Sequence, residues 1–301
     1  LKFILVKSIG VKNSVITLLF LIDQTVSLQG LVLRVTLQPY ATFALWCQME
    51  LPKNKFKQAL REGRKQIGIW NSISDPTVIE ILAGCNFDWM MLDLEHSPIG
   101  ATEAIAYLRT VAPYPVSAIV RTSWNDPVEI KKLLDAGAQS LLIPYVQSAQ
   151  EARAAVSAVT YPPNGIRGVS GVTRASRYGS IKNYAQHANE EICLLVQVET
   201  REALENIEDI ASVEGIDGVF IGPADLAASL GYPGEPSHPE VKAAVIGGIA
   251  KLKALGMPVG FLSLDTEMLR AVEKAGGQFI AIEIDSALIR KSALASRSNW
   301  A

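Results

Sequence analysis

The sequence predicts an α/β protein folded as a (β/α)₈ TIM barrel with eight parallel strands. Eight short apolar runs recur between residues 67 and 284, and segments with helical spacing of apolar residues separate them. Residues 49–301 also supply the roughly 250 residues that this fold needs. An open doubly wound sheet is the alternative, but no G-x-G-x-x-G motif follows the first run, so a dinucleotide site has no support.

The apolar runs are predicted strands, and two of the segments between them carry clear helix boundaries. Asp75 and Asp126 each precede a proline at the first helical position, which is typical of a capped helix start. Gly84 and Gly137 follow the last helical residues and predict the helix ends. The predicted strands cover residues 67–72, 89–94, 116–121, 140–146, 192–198, 218–221, 258–262 and 278–284.

Residues 1–48 do not share this alternation and contain scattered apolar patches, the longest at 15–22. Three explanations remain open: an extra segment that belongs to the protein, ordered or disordered; an unusual targeting sequence; or upstream sequence joined to a chain that starts at Met49. The last is favoured, because residues 49–70 open with a short basic amphipathic helix, a stop at Gly63 and a strand. We therefore expect the barrel to span residues 49–301 and assign no function to residues 1–48.

The composition indicates an ordinary globular protein and excludes several classes. Hydrophobic residues make up 49%, charged residues 19%, and the net charge is −2, so nothing indicates a nucleic-acid surface. No apolar run reaches the roughly 18 residues of a membrane span. Cys47, Cys85 and Cys193 lack the spacing of a zinc site or a disulfide framework, so we expect buried thiols and a reducing, cytoplasmic compartment.

Polar side chains follow several predicted strands, at the ends where a TM barrel carries its catalytic residues. They are Asp93, Glu95 and His96 after the second run, Arg121 after the third, Gln197, Glu199 and Arg201 after the fifth, and Asp225 after the sixth, where it follows Gly222, Pro223 and Ala224. We expect these residues to converge on one mouth of the barrel. A solvent-exposed rim without a function would rarely carry this particular combination of residue types.

Each of these residue types suggests a chemistry, with a structural alternative beside it. Glu199 and Asp225 suit a hard divalent cation such as Mg²⁺ or Mn²⁺, although acids after strands also cap the next helix. Arg121 suits a substrate carboxylate or a developing enolate oxygen, although it could form a structural ion pair. His96 is a candidate base, with Asp93 as a possible orienting carboxylate.

The lysines argue against a Schiff-base aldolase. Such an enzyme needs a lysine at a strand end inside the barrel, but every lysine from Lys53 to Lys291 falls in a predicted helix or an outer loop. Neither a G-x-S-x-G motif nor a phosphate-binding glycine loop is present. A metal-stabilised enolate is the chemistry that these residues favour.

Seven motifs together resemble the HpcH/HpaI aldolases, a family of metal-dependent enzymes that cleave or form 4-hydroxy-2-oxo acids. The similarity spans residues 49–301, with motifs in the family's order and spacing. The motifs are IGIW at 67–70, FDW with D-x-E-H within 87–96, R-x-S-W-N-D-P at 121–127, YPPNGIRG at 161–168, RASRY at 174–178, QVETREA at 197–203 and GVFIGPADL at 218–226. The 4-hydroxy-2-oxoheptanedioate and 2-dehydro-3-deoxyglucarate aldolases are the most similar members.

The resemblance implies a class II aldolase that releases pyruvate and an aldehyde through a pyruvate enolate on a divalent metal (Mg²⁺, Mn²⁺ or Co²⁺). It makes His96 the general base acting through water and Asp93 its partner. Glu199 and Asp225 become the metal ligands. Arg121 becomes the residue that polarises the keto oxygen and stabilises the enolate.

Further assignments by resemblance concern the substrate and the assembly. The backbone of Gly222, Pro223 and Ala224 would bind the pyruvate carboxylate, with Gln197 beside the metal. Asp135 matches a family residue that reaches a neighbouring subunit's site. The resemblance therefore implies a homo-oligomer, commonly a hexamer built as a trimer of dimers.

The chain departs from the family pattern at two positions. Glu283 stands where many relatives carry a small residue, so it either points outward to a partner or changes the pocket. Leu94 replaces a common glycine and is expected to affect packing. Glu95 is expected to be a supporting or structural residue. The alternatives to the aldolase are an acyl-CoA lyase of the malyl- or citramalyl-CoA type and a non-catalytic barrel that binds oxo acids.

Overall fold

The computed structural model describes residues 3–11, 14–22 and 49–300, and the chain forms two compact units, Leu1–Trp46 and Cys47–Ala301. The first unit contains an antiparallel strand pair, β1 (Phe3–Val11) and β2 (Ser14–Ile22). Residues 23–48, with Cys47, lie outside the described residues. The origin of residues 1–48 stays a prediction.

The second unit contains a closed barrel of eight parallel strands, which confirms the predicted (β/α)₈ fold. Neighbours around the barrel follow chain order, and the last strand pairs with the first. The strands are β3 (Gln66–Asn71), β4 (Trp89–Asp93), β5 (Ser117–Arg121), β6 (Ser140–Ile143), β7 (Cys193–Val198), β8 (Gly218–Ile221), β9 (Val259–Leu262) and β10 (Phe279–Ile284).

Helices surround the barrel, and the predicted caps define their starts. Asp75 accepts hydrogen bonds from the amides of Thr77 and Val78, and Asp126 accepts one from the amide of Val128. The helices are α1 (Lys55–Arg61), α2 (Pro76–Ala83), α3 (Ala101–Val111), α4 (Pro127–Asp135), α5 (Ala149–Val159), α6 (Tyr184–Glu191), α7 (Arg201–Glu205), α8 (Ile207–Ala211), α9 (Pro223–Leu230), α10 (Pro239–Ala254), α11 (Thr266–Ala275) and α12 (Asp285–Ser298).

Side chains alternate between two cores along each strand, because successive residues of a strand point to opposite faces. Those that face outward pack against the helices, as Met90 and Leu92 of β4 do. Those that face inward fill the barrel, as Trp89 and Met91 do. Helix α1 closes the N-terminal end of the barrel with Phe56, whose ring lies 5.6 Å from Phe279 and 6.2 Å from Trp89.

The same alternation carries polar residues into the opposite mouth. On β4 the inward residues run from Trp89 through Met91 to Asp93, and on β5 from Ile119 to Arg121. The strand register pairs Asp93 directly with Arg121. The side chains inside the barrel are therefore apolar behind α1 and charged at the opposite mouth.

Two composition-based expectations have different outcomes. Cys193 is buried in the inner core, as predicted, and burial raises the pKa of its thiol well above the usual range. The prediction of a buried thiol is wrong for Cys85, which is exposed because α2 ends just before it at Gly84. Among the described residues, no helix is both long and apolar enough to cross a membrane.

Gly68 provides a test of the inner packing. A Cβ at this position would lie 2.1 Å from Cε2 of Trp89, a fully buried ring with no room to move. We expect Gly68→Ala to lower the free energy of unfolding by about 1–3 kcal/mol through overpacking. Urea denaturation at fixed protein concentration measures the change.

A matched control is Gly247→Ala in α10, where an added Cβ meets nothing within 4 Å. It should stabilise by about 0.5–1 kcal/mol, because alanine favours the helix. Equal effects of the two substitutions would contradict the inner packing described above.

Candidate active site

Arg121 occupies the centre of the charged mouth and is held by Asp93. Its Nε donates to Asp93 Oδ1 at 2.8 Å and its Nη2 to Asp93 Oδ2 at 2.6 Å, a bidentate pair between buried groups. The guanidinium lies 4.8 Å from the ring centroid of Trp70, whose indole N–H donates to Asp93 Oδ2 at 3.1 Å. The ion pair that was the structural alternative for Arg121 is therefore present.

That ion pair still leaves part of Arg121 free for a ligand. A guanidinium has five N–H donors, and Asp93 takes two of them. Glu95 Oε2 lies 2.8 Å from Nη1 but lacks hydrogen-bond geometry. At least two N–H groups thus remain for an oxygen ligand.

Glu199 is the most perturbed carboxylate of the mouth. The side chain is buried, accepts from the amide of Tyr145 at 2.8 Å through Oε1, and accepts from the amide nitrogen of Gln197 through Oε2. Burial raises the pKa of Glu199 to about 7, and the nearby charges of Glu95 and Asp225 act in the same direction. Positive charge near Glu199 would offset this penalty.

The glycine at the start of GPAD is required by contact with Glu199. A Cβ on Gly222 would lie 2.6 Å from Glu199 Oε2 and 2.9 Å from Gln197 Nε2. The backbone of Gly222 has φ −84°, so its conformation does not itself call for glycine. Space beside the carboxylate is therefore the reason for the glycine.

Neither candidate metal ligand caps a helix, which was their structural alternative. Thr200 caps α7, since its hydroxyl accepts from the amide of Ala203, and this leaves Glu199 outside the cap. Asp225 lies in the first turn of α9, whose N-cap position is occupied by Gly222 without a side-chain hydrogen bond. Both acids are thus available at the mouth.

The Asp93 carboxylate does not orient the His96 ring. It accepts from the backbone amide of His96 at 3.4 Å, while its main partner is Arg121. Burial opposes the charged form, but the hydrogen bonds and charge of Arg121 hold the pKa of Asp93 below its usual value. His96 is exposed at the rim, and no side-chain hydrogen bond of its ring occurs within residues 49–300. The expected imidazole–carboxylate pair is therefore absent from this part of the chain.

Glu95 lies near the other charged side chains of the mouth. Burial raises the pKa of Glu95, although the charges of Arg121 and His96 act in the opposite direction. Gln197 Oε1 is a buried oxygen without a hydrogen-bond donor, whereas Glu95 Oε2 lies 2.8 Å from Arg121 Nη1. Unpaired buried acceptors of this kind indicate a missing donor or cation.

Within the described residues, no three His, Cys, Asp or Glu side chains form a complete metal cluster. The mouth instead offers Glu199 and Asp225, with the unpaired oxygen of Gln197 beside Glu199. Two carboxylates with water and substrate oxygens are a usual ligand set for Mg²⁺. These residues therefore fit a hard divalent cation.

Asp135 is not brought to this mouth. It ends α4, near the N-terminal ends of the strands, where its Oδ1 lies 3.6 Å from Nη2 of the buried Arg167. Burial raises the pKa of Asp135, against the charge of Arg167. Any part that Asp135 plays at a mouth requires a second copy of the chain.

The two residues that depart from the family pattern, Glu283 and Leu94, both have neighbours that suit their side chains. The Glu283 side chain is 17% exposed, and its Oε2 lies 3.7 Å from Nζ of Lys291. Leu94 is buried in the outer core, in line with the expected effect on packing.

Among residues 49–300, Lys57 is the one buried lysine, and it pairs with Asp217 at the closed end of the barrel.

Two participants were absent from the sequence-based site. Trp70 supports Asp93 through its indole N–H, and the backbone amide of Tyr145 binds Glu199. Strand alternation could have identified Trp70, since it shares the inward face with Gly68. Nothing in a sequence pattern indicates which backbone amide reaches a given carboxylate.

Comparisons with known proteins identify the family of this chain. Residues 66–292 match the sequence model of the HpcH/HpaI aldolase/citrate lyase family. A hydroxypyruvate/pyruvate aldolase of Sagittula stellata is 67% identical over 252 residues, which cover 84% of this chain and 100% of the relative. A 4-hydroxy-2-oxo-heptane-1,7-dioate aldolase of Salmonella heidelberg is 50% identical over 242 residues, covering 80% of this chain and 92% of the relative.

A solved structure gives the same result. A family protein from Burkholderia cenocepacia superimposes with a TM-score of 0.80 at 35% identity, covering 83% of this chain and 100% of that one. Because the close relatives are named aldolases, the prediction of a carbon–carbon lyase is confirmed. The chain belongs to the HpcH/HpaI aldolase/citrate lyase family.

Proposed function

We propose that this chain is a divalent-metal-dependent aldolase that reversibly cleaves 4-hydroxy-2-oxo acids into pyruvate and an aldehyde. The observation that carries the proposal is the buried Glu199 carboxylate, with a pKa raised to about 7, beside Asp225 and the unpaired oxygen of Gln197. Such a group is costly unless it is protonated or faces a cation. The name of the Sagittula relative supports pyruvate or hydroxypyruvate as the oxo-acid component, and the name of the Salmonella relative supports a 4-hydroxy-2-oxo acid as the substrate.

Glu199 and Asp225 would hold the cation, with Mg²⁺, Mn²⁺ and Co²⁺ as candidates. When bound, the cation would act as a Lewis acid on the 2-oxo group of the substrate. The free amides in the first turn of α9, beyond Gly222 and Pro223, would receive the substrate carboxylate. Ala224 provides the first of these amides, because Pro223 has none.

Arg121 would stabilise the oxygen that becomes negative as the C3–C4 bond breaks. Its remaining N–H groups can donate to that oxygen, while Asp93 and Trp70 keep the guanidinium plane fixed. A preorganised donor needs little rearrangement during the reaction. Asp93 therefore acts by positioning Arg121.

His96 would remove the proton from the 4-hydroxyl group through a water molecule. Its exposed position at the rim leaves the ring free to receive an orienting partner from elsewhere. We expect Asp135 of a second copy to reach this site, as the family resemblance implies, in a homo-oligomer with a hexamer as the expected form.

Removal of the metal tests the proposal as a whole. Exhaustive chelation should abolish the cleavage of 4-hydroxy-2-oxoheptanedioate, and Mg²⁺ or Mn²⁺ should restore it. Exchange of the pyruvate methyl protons with solvent, followed by proton NMR, should require the same metal. Activity that survives chelation, or a pyruvate adduct trapped by borohydride, would contradict the proposal. Metal-bound protein without proton exchange would indicate a non-catalytic barrel.

Binding of the metal should depend on pH. Because the pKa of Glu199 is about 7, a bound cation must displace a proton below that pH. We expect Mn²⁺ affinity to fall about tenfold per pH unit below about 7 and to level off above it. Electron paramagnetic resonance of free Mn²⁺ measures this affinity.

The stability of the metal-free protein should change in a related way. Folding raises the pKa of Glu199 from its ordinary value of 4.5 to about 7. Between these two pH values the folded chain therefore binds more protons than the unfolded chain. Its contribution to stability therefore declines as pH rises through this window. Glu199→Gln should remove both pH dependences. A pH-independent Mn²⁺ affinity in the unsubstituted protein would contradict the assignment.

Gly222→Ala tests the space beside Glu199. The added Cβ would lie 2.6 Å from Glu199 Oε2 and displace the carboxylate. We expect kcat/KM to fall about 100-fold, because small displacements of reacting groups are costly. Mn²⁺ affinity should fall with it. Gly247→Ala is the matched control and should leave both quantities unchanged, since its Cβ meets open space.

A further inference from the structure

Two aromatic rings stand at the mouth without a role in the chemistry described above. Trp124 follows Arg121 by three residues, in the loop after β5. Tyr145 follows β6, and its backbone amide donates to Glu199 Oε1 at 2.8 Å. Both rings therefore belong to residues that lie next to the proposed site.

The two rings form one exposed platform. Their centroids lie 5.4 Å apart with an interplanar angle of 28°, so the rings are stacked. Trp124 is 53% exposed and Tyr145 is 38% exposed. Apolar area of this kind stays open to solvent at the entrance, where the second substrate must arrive.

The loop that carries Trp124 is fixed. The amide and hydroxyl of Ser123 both donate to the Glu129 carboxylate at 2.8 Å, and the Thr122 hydroxyl donates to the Trp124 carbonyl at 2.8 Å. Asn125 donates to the Glu151 carbonyl at 3.0 Å. Trp124 is thus presented by a preorganised loop.

The backbone beneath Tyr145 is also constrained. Its φ is +56°, a left-handed conformation that is an outlier for a bulky residue. The next amide, of Val146, donates to the Gln197 carbonyl at 3.1 Å and holds the segment against β7. Strained backbone that is maintained by its surroundings is concentrated at functional sites.

We propose that the Trp124–Tyr145 platform selects the aldehyde, favouring aldehydes that carry an aromatic or other planar apolar group. The inference rests on the proposed aldolase function and names its acceptor class. In the addition, C3 of pyruvate loses a proton, its electron pair forms the bond to the aldehyde carbon, and the aldehyde oxygen gains a proton. No co-reactant is needed. The platform positions the acceptor and takes no part in proton transfer.

The test compares two acceptors with pyruvate: benzaldehyde, which has a ring, and glycolaldehyde, which has none. We expect Trp124→Ala to lower kcat/KM for benzaldehyde about tenfold and for glycolaldehyde less than about threefold, the scale of one aromatic contact. Tyr145→Ala should lower the ratio of the benzaldehyde value to the glycolaldehyde value by a similar factor. Trp124→Phe and Tyr145→Phe keep a ring and should restore most of the selectivity. Trp300→Ala removes an aromatic ring that is 88% exposed outside the mouth and should change neither value.

Each other outcome overturns the inference. Equal losses for both acceptors would indicate general damage to the site, and an unchanged ratio would show that the rings do not contact the acceptor. A lower molar mass of the alanine variants in light scattering, with the ratio unchanged, would assign the rings to a subunit interface. If the unsubstituted protein fails to exchange pyruvate methyl protons, the proposed function fails. If it exchanges them but the ratio is insensitive to both rings, only the platform fails.

Discussion

The buried pair between Asp93 and Arg121 is the interaction on which the mouth of the barrel depends. The two residues are register partners on neighbouring strands, and both point inward because strand alternation places them on the inner face. Two parallel hydrogen bonds fix the guanidinium, and the Trp70 indole fixes the carboxylate from β3. Loss of either partner would leave an uncompensated buried charge, at a cost of about 3–5 kcal/mol. Position and charge of Arg121 are thus set by three adjacent strands.

The carboxylates of the mouth differ because their environments differ. Arg121 holds the pKa of Asp93 below its usual value, whereas burial raises the pKa of Glu199. Arg121 pairs with Asp93 and lies close to Glu95, whereas Glu199 forms no ion pair with a basic side chain within residues 49–300. The resulting excess of negative charge favours a cation at Glu199 and Asp225. The same division supports the proposal that Asp93 positions Arg121 and that Glu199 binds the cation.

Much of this arrangement could be predicted from the sequence because it follows from local rules. Apolar runs of strand length, aspartate–proline helix starts and terminal glycines determine the barrel, and residues after its strands must meet at one mouth. The partner of Asp93 could not be predicted in the same way. Proximity in the chain suggested His96, but cross-strand register and alternation select Arg121. Cys85 illustrates a second limit. The composition of the chain does not indicate which residues are exposed to solvent where a helix ends.

The residues of the mouth lie either on barrel strands or on loops, and substitutions in these two places have different physical consequences. Asp93, Arg121 and Gln197 lie on strands inside the barrel, where a changed side chain disturbs packing and charge together. Trp124 and Tyr145 lie on loops beyond the strands, where their rings contact each other and solvent. Substitution of an exposed ring leaves the inner core intact, and surface changes of this kind usually alter stability by less than about 0.5 kcal/mol. Chemistry at the oxo-acid end is therefore coupled to the stability of the barrel, whereas the loop rings can vary almost independently of it.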